Sequence, residues 1–476
     1  MLSFTRLTKE NLGEITKYLY LYPTNFNDLS FGSKFVWGED FIIDFAIYNG
    51  FFIMKESSYS YKNAFYYPVR LEENADINGA FSAIENYAKE NNIELKFCYI
   101  DNALLERLKE RYPFNKHYFN RDWCDYIYQK ENFIDYSGKK LSKQRNHVNK
   151  FKKTYPEYLY KKLELSDFSR VEEFIKEFYK DAEIIDDGKI SSWTELKEKE
   201  RSFEFIKKAY EKNLCIGYIE IDGKMAGISV AEKRGNTLIV HIEKALKNYE
   251  GIYPTLASET VKNFASNEIV FINREEDCGD EGLRISKTRY RPIEIKEKHV
   301  FTPLTAIDFI PSELEIKTDR LTITEIRKTD KDEYYRLYMD DELNKYWGYD
   351  YREDLSNNKP SPDYFYNFSR QMIRTKEEYS FAVRLGGKFI GELVVWNLEL
   401  NGTVETGFRL LKEYHKKGYA KESLLGLIDY LKNELKVKTI KSRCHKKNQP
   451  SYNLLTRLGY TVYSEDLDWL YFIKRI

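Results

Sequence analysis

Neither sign of charge prevails in this 476-residue sequence: 76 Lys and Arg side chains face 76 Asp and Glu. A dedicated nucleic-acid binder normally carries a basic excess, so that class is disfavoured for the chain as a whole while local basic patches remain open. Cysteine is scarce and odd in number. Cys98, Cys124, Cys215, Cys278 and Cys444 lie far apart with no CxxC pair, so neither a disulfide framework nor a zinc ribbon is indicated, and a reducing cytoplasm fits best. Long apolar runs are missing too. The most apolar, "FIIDFAIYNGFFIM" (Phe41 to Met54), contains Asp44, Asn49 and Gly50 and is too short to span a bilayer. The opening "MLSFTRLTKENLGEI" lacks the basic, apolar and small-residue succession of a secretory signal. We therefore expect no membrane insertion and a cytoplasmic location. Among the few histidines, His117, His147, His241 and His299 have no partners at ligand spacing, and adjacent Cys444-His445 cannot form a metal site alone. No metal is expected.

What the chain does have is the balance of a soluble globular protein, 42% apolar and 32% charged. Its length exceeds what one hydrophobic core supports and sets a prior of roughly three domains. The 40 Tyr and 30 Phe accompany much Lys, Ile, Asn and Glu, a bias that AT-rich coding accounts for; no aromatic cage follows from it.

Internal comparison is more telling. "GKMAGISV" (Gly223 to Val230) matches "GKFIGELV" 164 residues on, at Gly387 to Val394. "ALKNYEGIYPTLASE" (Ala245 to Glu259) matches "LLKEYHKKGYAKES" (Leu410 to Ser423), the shared Leu-Lys-x-Tyr lying 165 residues apart. A fainter third copy pairs "IENYAKENNIELKFCYI" (from Ile84) with "IDYLKNELKVKTIKSRC" (from Ile428), each a helix end running into an alternating strand. The order strand, helix, meander strands, helix, strand, helix, strand recurs in each section. We expect an α/β (α+β) protein of three lobes, 1–132, 133–312 and 313–476, each a mixed, mostly antiparallel sheet flanked by helices. Gly386-Gly387 and Asn401-Gly402 read as hairpin turns in the third lobe.

There the stretch "VETGFRLLKEYHKKGYA" runs from a strand through a basic turn into an amphipathic helix, from Gly418 or Tyr419 to about Asn433, with Leu424, Leu425, Leu427, Ile428 and Leu431 apolar. Free N–H groups at a helix start hold phosphate oxygens. Gly418 allows close backbone approach, Ala420 is small, and Lys416 and Lys417 add charge. By itself such a turn is more often an ordinary solvated loop with a helix-start glycine.

Together with "VKTIKSRCHKKNQPSYNLLTRLGY" (Val437 to Tyr460), the turn "HKKGYA" resembles the acetyl-CoA signature of the GCN5-related N-acetyltransferases, with His415 where that family usually has Arg or Gln. The resemblance covers Lys317 to about Ile476 and is nearest the branch acting on ribosomal-protein N-termini and some antibiotics. It implies two parallel strands that splay around the pantetheine arm of acetyl-CoA. Phe408 and Leu410 would offer backbone groups to that arm. His415, Lys416, Lys417, Gly418, Tyr419 and Ala420 would bind pyrophosphate, and Asn448 would contact the arm. An amine acceptor would attack the thioester directly, with Glu405 as the base, acting through water. The competing reading of Glu405 is a surface strand carboxylate. A backbone N–H near Phe408 would meet the oxyanion. Leu455 stands where many members carry a thiolate-protonating Tyr, so Ser451 takes that role by resemblance, with Tyr452 a less well-aligned substitute. The segment Met339 to Phe368 would border the acceptor, and its seven acidic residues against three basic ones favour a cationic amine.

In the second lobe "NYEGIYPTLASE" puts Glu250 where phosphate would sit and Pro254 where an N–H would serve, so acetyl-CoA is not expected there. "YSGKKLSKQRNHVNKFKK" (Tyr136 to Lys153) and "NREEDCGDEGLRISKTRYRP" (Asn273 to Pro292) resemble the C-terminal domain of phosphatidylglycerol lysyltransferases over residues 1 to about 305. That resemblance implies an aminoacyl-tRNA donor, with the basic run Lys139 to Lys153 along the tRNA backbone. The plainer reading of that run is a solvated helix face, and tRNA is the less favoured partner. The acidic "EEDCGDE" (Glu275 to Glu281) lacks calcium-loop spacing and reads as a strand-to-helix loop.

Overall fold

Gly386-Gly387 lies where the chain doubles back, as read from the sequence; the turn at Asn401-Gly402 is longer, closed by Gly402 N–H to Glu399 O at 3.0 Å and Glu399 N–H to Thr403 O at 2.9 Å, and Asp222-Gly223 makes a further two-residue turn. Asp222-Gly223 (φ +49° and +76°) and Gly386-Gly387 (φ +57° and +81°) take left-handed conformation at both positions, the turn geometry whose twist matches the strands on either side. The computed structural model describes residues 2–58, 61–185, 193–355 and 359–476. They form two units: residues 1–105 with 117–302, and residues 106–116 with 303–476.

The N-terminal unit contains two sheets that exchange strands. The first takes seven strands from residues 5–119 and an eighth, His299–Pro303, from the far end of the unit. Helix α1 (Phe31–Trp37) belongs to this half. The second sheet starts with β1 (Asp125–Gln129), which precedes residue 132 in the chain. It continues through helix α2 (Ser142–Thr154), the hairpin of β2 (Lys224–Arg234) and β3 (Thr237–Ala245), helix α3 (Ile252–Phe264) and β4 (Phe271–Asn273). Its order is Glu294–Lys296, β1, β4, β3, β2, Cys215–Ile221, Leu159–Lys162. One apolar cluster, including Phe31, Phe35, Phe52, Phe174, Phe205, Ile228 and Val230, is shared between the halves.

The C-terminal unit has β5 (Leu321–Glu325), helices α4 (Lys331–Met339) and α5 (Tyr364–Thr375), then β6 (Glu378–Leu385), β7 (Lys388–Trp396) and β8 (Thr403–Leu410). Helix α6 (Tyr419–Asn433), β9 (Thr439–His445), helix α7 (Gln449–Arg457), β10 (Thr461–Glu465) and β11 (Trp469–Arg475) complete it. The sheet runs Glu315–Lys317, β5, β6, β7, β8, β9, β11, β10. Leu424, Leu427, Ile428 and Leu431 of α6 pack with Ile323, Phe381, Leu393 and Val404 on one face. Each such side chain contributes about 1.5–3 kcal/mol of burial. Leu425, apolar but on the outer face of α6, is 46% exposed. On the other face Tyr334, Leu337, Tyr338 and Phe365 of α4 and α5 cover Ala382 and Phe389.

All three sheets repeat one device. Antiparallel strands are followed by a single parallel link: Phe65↔Phe97 in the first, β3 with β4 in the second, β8 with β9 in the third. The class is α+β, with three mixed sheets flanked by helices.

Candidate functional site

Strands β8 and β9 pair through Thr403↔Thr439, Val404↔Ile440 and Glu405↔Lys441 and then part, although β8 runs on to Leu410 and β9 to His445. Strand β8 pairs with β7 in one register from Glu405 to Leu410, and just past its end the Leu411 N–H donates to Ile390 O at 2.9 Å. Backbone groups alternate sides along an antiparallel strand, so Thr406, Phe408 and Leu410 direct theirs into the gap. Two contacts agree with this. Ser442 Oγ donates to Thr406 O at 2.8 Å, and His415 Nε2 lies 2.8 Å from Leu410 O. Phe408 lies beyond the last rung with β9, so its N–H faces the opening.

At the end of β8 the chain makes a short 3-10 turn at Lys412–Tyr414, passes Lys416 (φ +60°) and Gly418 (φ +85°), and enters α6. The His415 N–H donates to Lys412 O, and the Glu422 N–H donates to Gly418 O. Between them, the N–H groups of Lys416, Lys417, Gly418, Tyr419, Ala420 and Lys421 meet no acceptor among the described residues. A row of free donors at the start of a 15-residue helix carries partial positive charge. The His415 ring is committed to Leu410 O, and Lys417 Nζ folds back to Glu413 O at 2.7 Å. The donors of this turn are therefore chiefly its backbone. Arg320 closes one side. It donates to the Glu422 carboxylate (Nε to Oε2, 2.7 Å) and to Lys417 O (3.2 Å), and lies 4.6 Å over the Tyr419 ring. A motif reading misses Arg320 because it precedes the turn by almost the whole lobe.

Odd-numbered residues of β8 face α4 and α5. Glu405 is 12% exposed; its Oε2 accepts from Asn397 Nδ2 at 2.6 Å, and its Oε1 lies 3.8 Å from Arg443 Nε. Gly407 follows on the same face, where a Cβ would come within 2.7 Å of Trp396 and 2.8 Å of Trp347. Arg409 is next, buried against Glu392 and lying 4.0 and 4.2 Å over the rings of Tyr338 and Trp347. Burial and the Glu392 charge push the Glu378 carboxyl up to about 7. Around Glu405 and Arg443 the chain gathers Trp347, Trp396 and Trp469. Tyr346 stacks on His445 at 4.7 Å, and His445 meets the Trp469 edge at 5.4 Å. The composition implied no such grouping, because these rings come from three separate parts of the lobe. The segment expected at the acceptor supplies Tyr346 and Trp347; its residues 356–358 lie outside the described residues.

Asn448 and Ser451 stand where β9 passes into α7. The Asn448 side chain accepts from the Ser451 N–H at 3.3 Å, capping the helix. The Ser451 hydroxyl lies by Cys444, whose thiol burial pushes up despite that contact. Leu455 is in the core, and Tyr452 is 36% exposed beside Phe472. A recess of about 560 Å³ along α5, lined by Tyr366, Asn367, Arg370, Gln371 and Arg374, involves none of these residues.

In the N-terminal unit α3 starts as α6 does, on a left-handed glycine, Gly251 (φ +87°). A Cβ there would fall 2.5 Å from His147 O, because α2 lies across the turn, and Lys150 pairs with Glu250. Arg145 donates to Tyr136 O and Gly138 O. Lys152 lies 3.6 Å from Glu259, so three cations of the basic run are engaged within the fold, while Lys139 and Lys140 are exposed. The acidic loop is internally paired. Glu275 binds His241 at 2.8 Å, Asp277 binds Arg284 at 2.8 Å, and Lys298 reaches Asp125, Asp28 and Glu276. Burial alone would lower the His241 pKa, but its bonds to Glu232 and Glu275 outweigh that and raise it to about 9.

Comparison with known proteins divides the chain as its residues do. Residues 21–301 match the family described as phosphatidylglycerol lysyltransferase, C-terminal, and residues 320–461 match the acetyltransferase (GNAT) domain. A conserved protein of unknown function from Bacteroides thetaiotaomicron VPI-5482, solved by crystallography, is 25% identical with a TM-score of 0.57, covering 63% of this chain and 99% of that one. The uncharacterized protein MYCGA3080 of Mycoplasmoides gallisepticum is 26% identical over 214 residues, 43% of this chain; the match spans 65% of that relative's length. The uncharacterized N-acetyltransferase p20 of Bacillus licheniformis is 26% identical over 144 residues, 30% of this chain and 80% of the relative.

Proposed function

Since this chain belongs to the family of phosphatidylglycerol lysyltransferase C-terminal domains and carries a GNAT acetyltransferase domain behind it, we propose that its C-terminal unit is an N-acetyltransferase using acetyl-CoA as donor substrate. The observation that carries this reading is the row of free N–H groups from Lys416 to Lys421, set at the mouth of the β8–β9 gap, with Glu405 on the same strand. The turn holds the pyrophosphate, its backbone and Lys416 doing the work, and Gly418 lets the diphosphate approach closely. The arm lies in the gap along Phe408 and Leu410, with Asn448 on the other side.

Glu405 accepts a proton from the acceptor ammonium, through water, leaving a neutral amine. The amine nitrogen attacks the thioester carbon, and the Phe408 N–H meets the oxygen that becomes negative. The carbon–sulfur bond then breaks; the thiolate takes a proton through the Ser451 hydroxyl, which is reprotonated by the proton that the former amine nitrogen sheds as it becomes an amide. A small molecule, a peptide or a protein N-terminus all supply such an amine. Acetyl-CoA is made and consumed in the cytoplasm, which is the compartment this reading implies. Titration calorimetry with acetyl-CoA tests it: binding is expected for the natural chain and lost on Gly418→Trp. No binding by the natural chain, or binding untouched by that substitution, sinks it.

A second reading rests on the family match over residues 21–301, and it gives the N-terminal unit an aminoacyl-tRNA donor. It requires tRNA binding that weakens steeply with salt and when Lys139 and Lys140 are neutralised. Absence of binding at low salt removes it and leaves the N-terminal unit a scaffold.

A further inference from the structure

The acceptor end of the proposed site already contains a cation, and it is the protein's own. The Arg443 guanidinium lies 5.3 Å from the Trp469 ring centroid and 6.0 Å from that of Trp396, with its Nε 3.8 Å from Glu405 Oε1. No hydrogen bond to the guanidinium is found among the described residues: its separation from Glu405 exceeds hydrogen-bond length, and the Arg443 side chain is 37% exposed. Glu405 is the reverse case: 12% exposed, its Oε2 fixed by Asn397, its Oε1 turned toward the guanidinium.

The surroundings are built for a cation. Aromatic faces attract positive charge through their quadrupole, tryptophan most strongly. Here two tryptophan faces and a carboxylate converge. The site's shape depends on two glycines. At Gly407 a Cβ would displace Trp396 and Trp347, and at Gly348 (φ +82°) a Cβ would reach 3.0 Å from Trp469 and 3.5 Å from Arg443 Nη2. Both positions keep backbone close against the rings that border the guanidinium.

Resting on the acetyltransferase reading of this unit, we propose that Arg443 is a displaceable plug of the acceptor site, and that the acceptor is a primary alkylammonium lacking a nearby carboxylate. Its charge replaces the guanidinium between Trp396 and Trp469 and brings the nitrogen within one water of Glu405 Oε1. An acceptor with an adjacent carboxylate belongs to the opposite arrangement, in which Arg443 stays and binds the anion.

The test is calorimetric binding of n-butylamine, methylguanidinium and glycylglycine to the full chain in the presence of CoA, for the natural protein and Arg443→Met. With the plug removed, n-butylamine is expected to bind about tenfold tighter, and methylguanidinium to compete with it. Adding Trp469→Leu should reverse that gain. Unchanged or weaker n-butylamine binding in Arg443→Met overturns the proposal, as does loss of glycylglycine binding alone, which would make Arg443 an anion reader. Circular dichroism of each variant establishes that it is folded. A separate titration of each variant with CoA alone reports on the donor reading, so the two failures are distinguishable.

Discussion

Gly251 and Gly418 begin equivalent helices in two different sheets with nearly the same backbone, φ +87° and +85°, yet what lies over them differs. A Cβ on Gly251 would fall 2.5 Å from the His147 carbonyl oxygen, whereas on Gly418 it would meet only the end of Arg320, 3.3 Å away. One turn is covered by a helix and the other is open. The open one is where a diphosphate can enter.

This contrast predicts opposite outcomes for one substitution. An L residue in left-handed conformation costs about 1–2 kcal/mol. Gly251→Ala adds a clash with backbone, so the N-terminal unit should melt at clearly lower temperature while acetyl-CoA affinity holds. Gly418→Ala should cost little stability beyond the backbone strain, yet weaken acetyl-CoA binding about tenfold, as a crowded anion cradle requires. Calorimetric melting and titration of both variants decide the matter.

Glu405→Gln keeps the Asn397 contact but cannot take a proton. Turnover should fall by about 10²–10⁴, the usual worth of a positioned base, with acetyl-CoA affinity unchanged. A turnover loss of less than tenfold would assign the carboxylate to packing.

His241 gives a pH signature. Its folded pKa is raised to about 9 by Glu232 and Glu275, against about 6.5 in an unfolded chain. The stability it contributes is therefore fully present below pH 6.5 and is lost as pH rises through 9. The total is about 3 kcal/mol by linkage. Urea unfolding of the N-terminal unit from pH 6 to 9.5 should show this decline, and His241→Gln should flatten it.

Arg409 and Glu392 are buried at 3% and 0% exposure. Arg409→Met leaves a buried carboxylate without its partner and should cost about 3–5 kcal/mol. Adding Glu392→Leu should recover much of that, because the pair is replaced by apolar packing. Urea midpoints for the single and double variants test it.

What the sequence disclosed was what depends on near neighbours. The hairpin at Gly386-Gly387 was legible because a left-handed turn leaves few residue choices. So was helix α6, read from Gly418 or Tyr419 to Asn433 and found at Tyr419–Asn433. The strand exchange in the N-terminal unit was not, because β1 and His299–Pro303 carry no local mark of which sheet they join. Arg320 closes the basic turn from almost a hundred residues upstream. Trp347, Trp396 and Trp469 meet only after β7, β8, β9 and β11 are assembled in one sheet, and three tryptophans so dispersed look like composition. The motif gave the basic turn, and the fold alone gave what surrounds Glu405.

The exchanged strands also bear on how the chain is made. The first sheet's strands emerge by residue 119, but His299–Pro303, which pairs with Phe97–Ile100, follows only 180 residues later. At ordinary synthesis rates that is roughly 10–40 s. During that interval the edge of Phe97–Ile100 awaits its antiparallel neighbour, and a chain halted near residue 132 would lack it permanently. The first sheet is therefore completed only by chain that lies beyond the whole of the second, so a cut between the two sheets leaves the first without one of its strands.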